Sequence, residues 1–214
     1  MEKSFTVLVD NNSLTLSRLE TDPYGTNTYL LRCAKSGQCV LIDAPGNAET
    51  VIDELGDSRV QYILMTHAHM DHTMALEELI KLPGVSLAAH QGEIKALPVQ
   101  ADRLLEDGDL LHCGELEIKV IHTPGHTPGG LCYLVDGILL GGDTLFPGGP
   151  GKTASPENLS TLLASIKNKI LTLPAQTVIY PGHGDPTTVA EQRPKVEAFL
   201  ARGYDSNLHG DVTW

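Results

Sequence analysis

The segment that most constrains this chain is His67-Ala68-His69-Met70-Asp71-His72, which gathers three imidazoles and a carboxylate. Packing gives no reason to collect such side chains, whereas a metal ion does. Neutral imidazole and carboxylate together suit Zn²⁺, and also Fe or Mn. The run lies between two segments of different character. Val60-Gln61-Tyr62-Ile63-Leu64-Met65 before it reads as a buried strand, and Leu76, Leu79 and Ile80 after it recur at helical spacing. The cluster is therefore expected on a strand-to-helix loop, where regular elements on either side hold ligands in place.

Elsewhere the pattern is that of a mixed chain. Strands are predicted over 5–9, 14–19, 28–33 and 39–42, with a Ser36-Gly37 turn between the last two. A helix over 48–55 precedes the 60–65 strand, and another follows His72. A strand over 85–89 and a short helix over 91–97 come next, then a turn at Glu106-Asp107-Gly108-Asp109. Strands are expected over 116–121, 131–135 and 138–140, the last two joined by an Asp136-Gly137 hairpin turn. A helix over 156–171 opens with Pro156 near its first position, and a strand over 177–180 and a helix over 189–200 close the pattern. Two sheets face to face with helices outside would fit, an α/β arrangement in four layers, although the pattern alone does not fix that stacking. The 214 residues suffice for one sizeable core. Residues 1–202 read as one domain and 203–214 as a tail or partner-docking strand, with Trp214 hinting at a docked tail.

Composition narrows the function class. A net charge of −12 without a Lys/Arg cluster argues against electrostatic binding of nucleic acid. No apolar run reaches membrane-spanning length, and the first residues lack the apolar core of a signal peptide. The expectation is a soluble cytoplasmic protein whose partner is a small-molecule substrate, with neither nucleic acid nor membrane involved; oligomeric state is left open. Cys33, Cys39, Cys113 and Cys132 show no CxxC pairing and read as reduced, buried thiols. A Cys33–Cys39 bridge across a hairpin is the alternative.

Three further polar residues stand at predicted strand ends in glycine-rich turns: His126 in Thr123-Pro124-Gly125-His126-Thr127-Pro128-Gly129, Asp143 in Gly141-Gly142-Asp143-Thr144-Leu145-Phe146, and His183 in Pro181-Gly182-His183-Gly184. Glycine there permits close backbone approach or positive φ. Such a repeated pattern could bring the three side chains to one sheet edge. Taken with the first run, these residues resemble the metallo-β-lactamase superfamily over nearly the whole chain. Within it they look most like the glyoxalase II, or hydroxyacylglutathione hydrolase, branch.

The resemblance implies a four-layer αββα sandwich with metals at one edge. It also implies a binuclear site: His67, His69 and His126 on one ion, Asp71, His72 and His183 on the other, and Asp143 bridging. The cofactors implied are two divalent ions, Zn²⁺ first and Fe or Mn as alternatives. A hydroxide between them would attack an acyl carbonyl, and the second metal or a protonated Asp71 would stabilise the leaving group. Asp71 is thus both a ligand and the candidate catalytic residue. A bridging carboxylate makes a true β-lactamase less expected. Lys152, in Gly148-Gly149-Pro150-Gly151-Lys152, matches the family loop that contacts a substrate carboxylate. Asp43, His122 and Asp185 are candidates to orient ligands. The chain departs from glyoxalase II in lacking its C-terminal helical extension and the Tyr after the last metal His, and it carries Ala75 where Gly is common. The expected activity is hydrolysis of a thioester. The alternatives are a lactonase or other ester hydrolase on the same site, a mononuclear-iron persulfide dioxygenase, and a non-catalytic metal-binding module.

Overall fold

The computed structural model describes residues 4–46, 48–56 and 58–214. Among these residues, a seven-stranded sheet runs in chain order: β1 (Thr6–Asp10), β2 (Leu14–Thr21), β3 (Thr26–Cys33), β4 (Cys39–Ile42), β5 (Val60–Leu64), β6 (Ser86–His90) and β7 (Arg103–Leu105). β1 to β4 are antiparallel neighbours, and β4 to β7 are parallel. Parallel pairing needs crossovers. α1 (Ala48–Leu55) lies between β4 and β5, and α2 (Met70–Thr73) and α3 (Leu76–Leu79) between β5 and β6. The second sheet is built from β8 (Leu110–Cys113), β9 (Leu116–His122), β10 (Leu131–Val135) and β11 (Ile138–Gly142). A small ribbon, β12 (Leu145–Phe146) with β13 (Gly149–Pro150), and α4 (Pro156–Ser165) follow. β14 (Val178–Pro181) and β15 (Thr187–Thr188) complete that sheet beside β11, and α5 (Val189–Arg202) packs after them.

The two-residue period of the strands sorts side chains into layers. On β3, Tyr29, Leu31 and Cys33 point between the sheets, while Leu30 points to the α1 and α3 side. On β10, Leu131, Tyr133 and Val135 meet the first group, and Cys132 faces Leu162 and Ile166 on the far side. Three apolar layers separate four layers of secondary structure, which is the αββα sandwich. Each fully buried Leu or Ile contributes about 1.5–3 kcal/mol relative to exposure. Tyr133 is wholly buried, and its hydroxyl donates to Met65 O at 2.6 Å, which ties the second sheet to the end of β5.

The two sheets are stitched along the edge where parallel strands end. Leu131 N–H donates to Thr66 O at 2.8 Å and Asn27 N–H to Gly182 O at 2.7 Å. The Asn27 side chain donates to both Pro181 O and Gly184 O at 3.1 Å. No helix among the described residues is long and apolar enough to cross a membrane.

Several expectations are corrected. The helix over 91–97 is only a 3₁₀ turn, Gln91–Glu93, and the helix over 156–171 becomes α4 followed by a π turn, Ile166–Ile170. β7, β8 and the two-residue strands carry too few alternating residues to stand out. α2 begins at Met70, so Asp71 and His72 lie in helix rather than loop. The Cys33–Cys39 bridge is absent, and all four thiols are free and buried. Arg32 pairs with Cys39 across β3 and β4, so Cys33 is one residue out of register. The two sulfurs then belong to opposite faces, Cys33 between the sheets and Cys39 on the helix side. Residues 203–214 pack back onto the domain through Val212 and Trp214, beside Leu159, Leu163 and Phe199.

Candidate metal centre

β5 delivers Thr66, His67 and His69 at its carboxyl end, and α2 turns Asp71 and His72 back toward them. The turn after β9 supplies His126, the end of β11 supplies Asp143, and the end of β14 supplies His183. All seven residues expected from sequence meet at this edge. His67 Nε2 lies 3.1 Å from His69 Nδ1, and His126 Nε2 lies 3.3 Å and 2.9 Å from these two atoms. On the other side His183 Nε2 is 3.1 Å and His72 Nε2 3.6 Å from Asp71 Oδ2. Asp143 Oδ2 is 3.6 Å from both His126 Nε2 and His183 Nε2, so one carboxylate reaches both groups.

These distances fit cations. His126 gives its Nδ1–H to Lys152 O at 2.7 Å, and His67 Nδ1 is satisfied by Thr66 Oγ1 at 3.0 Å. Their Nε2 atoms are therefore lone pairs in the neutral rings, and they point at one another and at His69. Three nitrogens about 3 Å apart form one face of a tetrahedron whose centre is roughly 2 Å from each, the Zn–N distance. His72 Nε2 and Asp143 Oδ1 are buried with no hydrogen-bond partner, another sign that a further group belongs between the side chains. Within 4.8 Å, the ligand atoms form the groups His67–His69–His126, His67–His72–Asp143 and Asp71–His72–His183. The arrangement is a His/Asp cluster for metal binding.

Electrostatics divides the roles. Burial, reinforced by the neighbouring histidines, drives His67 well below the usual imidazole range and keeps it neutral, as a ligand must be. Burial also opposes charge on His72, but the Asp43 and Asp143 carboxylates outweigh it and push the ring up to about 10. Burial would raise the Asp71 carboxyl. Hydrogen bonds from His183 and from Thr26, together with His72, hold it well below the usual range instead. An ionised Asp71 is an acceptor, in keeping with the ligand role, one of the two roles expected of it from sequence.

The orienting residues differ in part from expectation. Asp43 does face the site: Oδ2 is 2.8 Å from His72 Nδ1, and the carboxylate accepts from Thr66 N–H and Oγ1–H at 2.7 Å each. His122 is not at the site. It stacks on His90 with centroids 4.1 Å apart and meets Pro128 O through Nε2. Asp185 is solvated and 3.9 Å from Arg18 Nη1. The Lys152 side chain is exposed, with Nζ 3.5 Å from Asp211 Oδ2, while its carbonyl touches His126.

Glu93 escaped the sequence reading. Buried at 4 % exposure, it accepts from Ala68 N–H at 2.8 Å and Gly129 N–H at 2.7 Å, joining the His67–His69 loop to the His126 turn. Thr26 also went unnoticed; its hydroxyl donates to Asp71 Oδ2 at 3.0 Å. Neither sits in a run of ligand-type residues, so neither carried a local signature. Gly182 shows why a glycine precedes His183: a Cβ there would lie 2.3 Å from Asp143 Oδ1 and 2.7 Å from His72 Cε1.

Comparison with known proteins agrees with this geometry. A sequence profile of the metallo-β-lactamase superfamily matches residues 21–183. The chain belongs to the metallo-β-lactamase superfamily. A hydroxyacylglutathione hydrolase of Rhodospirillum rubrum is 38% identical over 186 residues, covering 83% of this chain and 71% of that protein. A human mitochondrial persulfide dioxygenase is 36% identical over 181 residues, covering 78% and 69%. The crystal structure of BLEG-1 B3 metallo-β-lactamase superposes with a TM-score of 0.76 at 30% identity, covering 84% of this chain and 96% of that one.

Proposed function

We propose that the protein is a metal-dependent hydrolase of a thioester of the hydroxyacyl-thiol class, working with two divalent ions, Zn²⁺ in first place. The observation that carries this reading is the equal 3.6 Å separation of Asp143 Oδ2 from His126 Nε2 and His183 Nε2. A carboxylate so placed would join a His67–His69–His126 site to an Asp71–His72–His183 site. Bound there, the ions supply Lewis acidity, which lowers the pKa of water and polarises an acyl carbonyl.

The chain's own residues prepare that chemistry. Asp43 holds the His72 ring so that Nε2 faces Asp71 and Asp143, and Lys152 O does the same for His126. Asp71 stays ionised, with Oδ2 accepting from the Thr26 hydroxyl. Lys152, exposed on the loop that follows β13 beside the centre, offers a cation for a substrate carboxylate. Four free thiols suit a reducing compartment, in keeping with a cytoplasmic location.

The second reading is a persulfide dioxygenase with a single Fe, favoured by the likeness to the human enzyme. Metal analysis with one substrate panel separates the two. Near two metals per chain and turnover of S-lactoylglutathione support the thioesterase. One Fe per chain with sulfite formed from glutathione persulfide would replace it. Turnover confined to a lactone or a β-lactam in the same panel would keep the site and reject the thioester.

A further inference from the structure

The segment after α5 reaches the metal centre through one backbone carbonyl. Gly210 and Thr153 exchange both backbone hydrogen bonds, at 3.1 and 3.0 Å, and Trp214 N–H donates to Gly148 O at 3.1 Å. Val212 is buried beside Leu159, Leu163 and Phe199. The indole of Trp214 meets the Phe199 ring at 5.5 Å and donates through Nε1 to Gln192 Oε1 at 3.2 Å. A Cβ on Gly149 would lie 2.1 Å from Val212 O, so tail and strap are in direct backbone contact. The strap of residues 148–153 is thereby held from outside. On its inner side Gly151 N–H donates to Thr144 O at 3.3 Å, and Lys152 O receives the His126 Nδ1 proton at 2.7 Å.

We infer that residues 210–214 act as a positioning element for His126. The strap opens Gly148-Gly149-Pro150-Gly151, with little side chain of its own to pack. Its place is set by hydrogen bonds to the tail on one side and to β12 and Thr144 on the other. Freeing the tail lets the Lys152 carbonyl drift, and the His126 ring then loses the partner that selects its tautomer and aims Nε2 at His67 and His69. The inference rests on reading the His/Asp cluster as a metal centre.

The test compares the full chain with Trp214→Ala, with a chain ending at Asp211, and with Trp214→Phe as the conservative variant. Zn²⁺ alone is titrated into metal-free protein, and NMR on ¹⁵N-labelled histidine follows the His126 Nδ1 proton before any metal is added. The expected result is a Zn²⁺ affinity lower by about tenfold, faster exchange of that proton, and recovery of most of both effects in Trp214→Phe. Unchanged exchange of the His126 proton in Trp214→Ala overturns the inference, whatever the truncated chain does. So does an unchanged Zn²⁺ affinity in a full chain that binds Zn²⁺. A full chain that binds no Zn²⁺ overturns the metal reading instead, and the proton exchange still decides the contact.

Discussion

Asp43 sits at φ 60°, a left-handed conformation that aspartate tolerates better than most residues but that still costs energy. The cost is offset because this backbone turns the carboxylate toward two partners, the Thr66 amide and hydroxyl and the His72 ring. Asp43→Asn keeps the shape and removes the charge. It should weaken metal binding 10- to 100-fold, measured by competition with a chelator; an unchanged affinity would show that His72 needs no anion behind it. Asp143→Ala should lower the metal content per chain and abolish hydrolysis, and a variant that retained full stoichiometry would contradict the bridging role. Lys152 is exposed, and an exposed ion pair is worth little. Lys152→Ala should therefore raise KM for a glutathione thioester only about two- to fivefold and leave a neutral ester unaffected; equal effects on both would dismiss the carboxylate contact. The seven ligand-type residues were readable in sequence because four share one short run and each of the other three stands at a strand end beside a glycine. Asp43 was half-readable from its place after an apolar strand. Glu93 and Thr26 were not, because the partners of Glu93 lie 25 and 36 residues away and that of Thr26 lies 45 away.

At the level of elements, the site depends on loops that are braced from outside. Glu93 follows β6 in a 3₁₀ turn and closes the gap between the loop after β5 and the turn after β9. Glu93→Ala leaves two buried amides without an acceptor, a loss of about 2–6 kcal/mol at 1–3 kcal/mol per group. The melting temperature of the metal-free variant should fall accordingly, and a melt within a degree of the parent would mean that water replaces the carboxylate. The helices show which local signals survive folding. Ser155 caps α4 ahead of Pro156, and Thr188 with Glu191 forms a capping box on α5, as helix-start rules lead one to expect. The π turn that ends the 156–171 segment had no such marker, nor did β8, whose Leu110 is exposed while Cys113 is buried.

For the molecule as a whole, the centre links stability to pH. In the metal-free protein the folded His72 lies at about 10, above its ordinary 6.5, against the pull of burial and because Asp43 and Asp143 face it. A raised folded value stabilises fully below about 6.5 and less as pH climbs toward 10. Melts with a chelator present should therefore decline across that window, while Zn²⁺ uptake strengthens as the competing proton leaves; a flat chelated profile would contradict the caged imidazole. The candidate ligand residues, their suitability for a metal and the strand-then-helix order were set within short stretches of chain, since spacing and period are local quantities. Stacking of the two sheets, the face each cysteine occupies, and the bracing by Asp43, Glu93 and residues 210–214 were settled only by folding. Each depends on register and contact between segments distant in sequence, and such pairings leave no periodic trace in the segments they join.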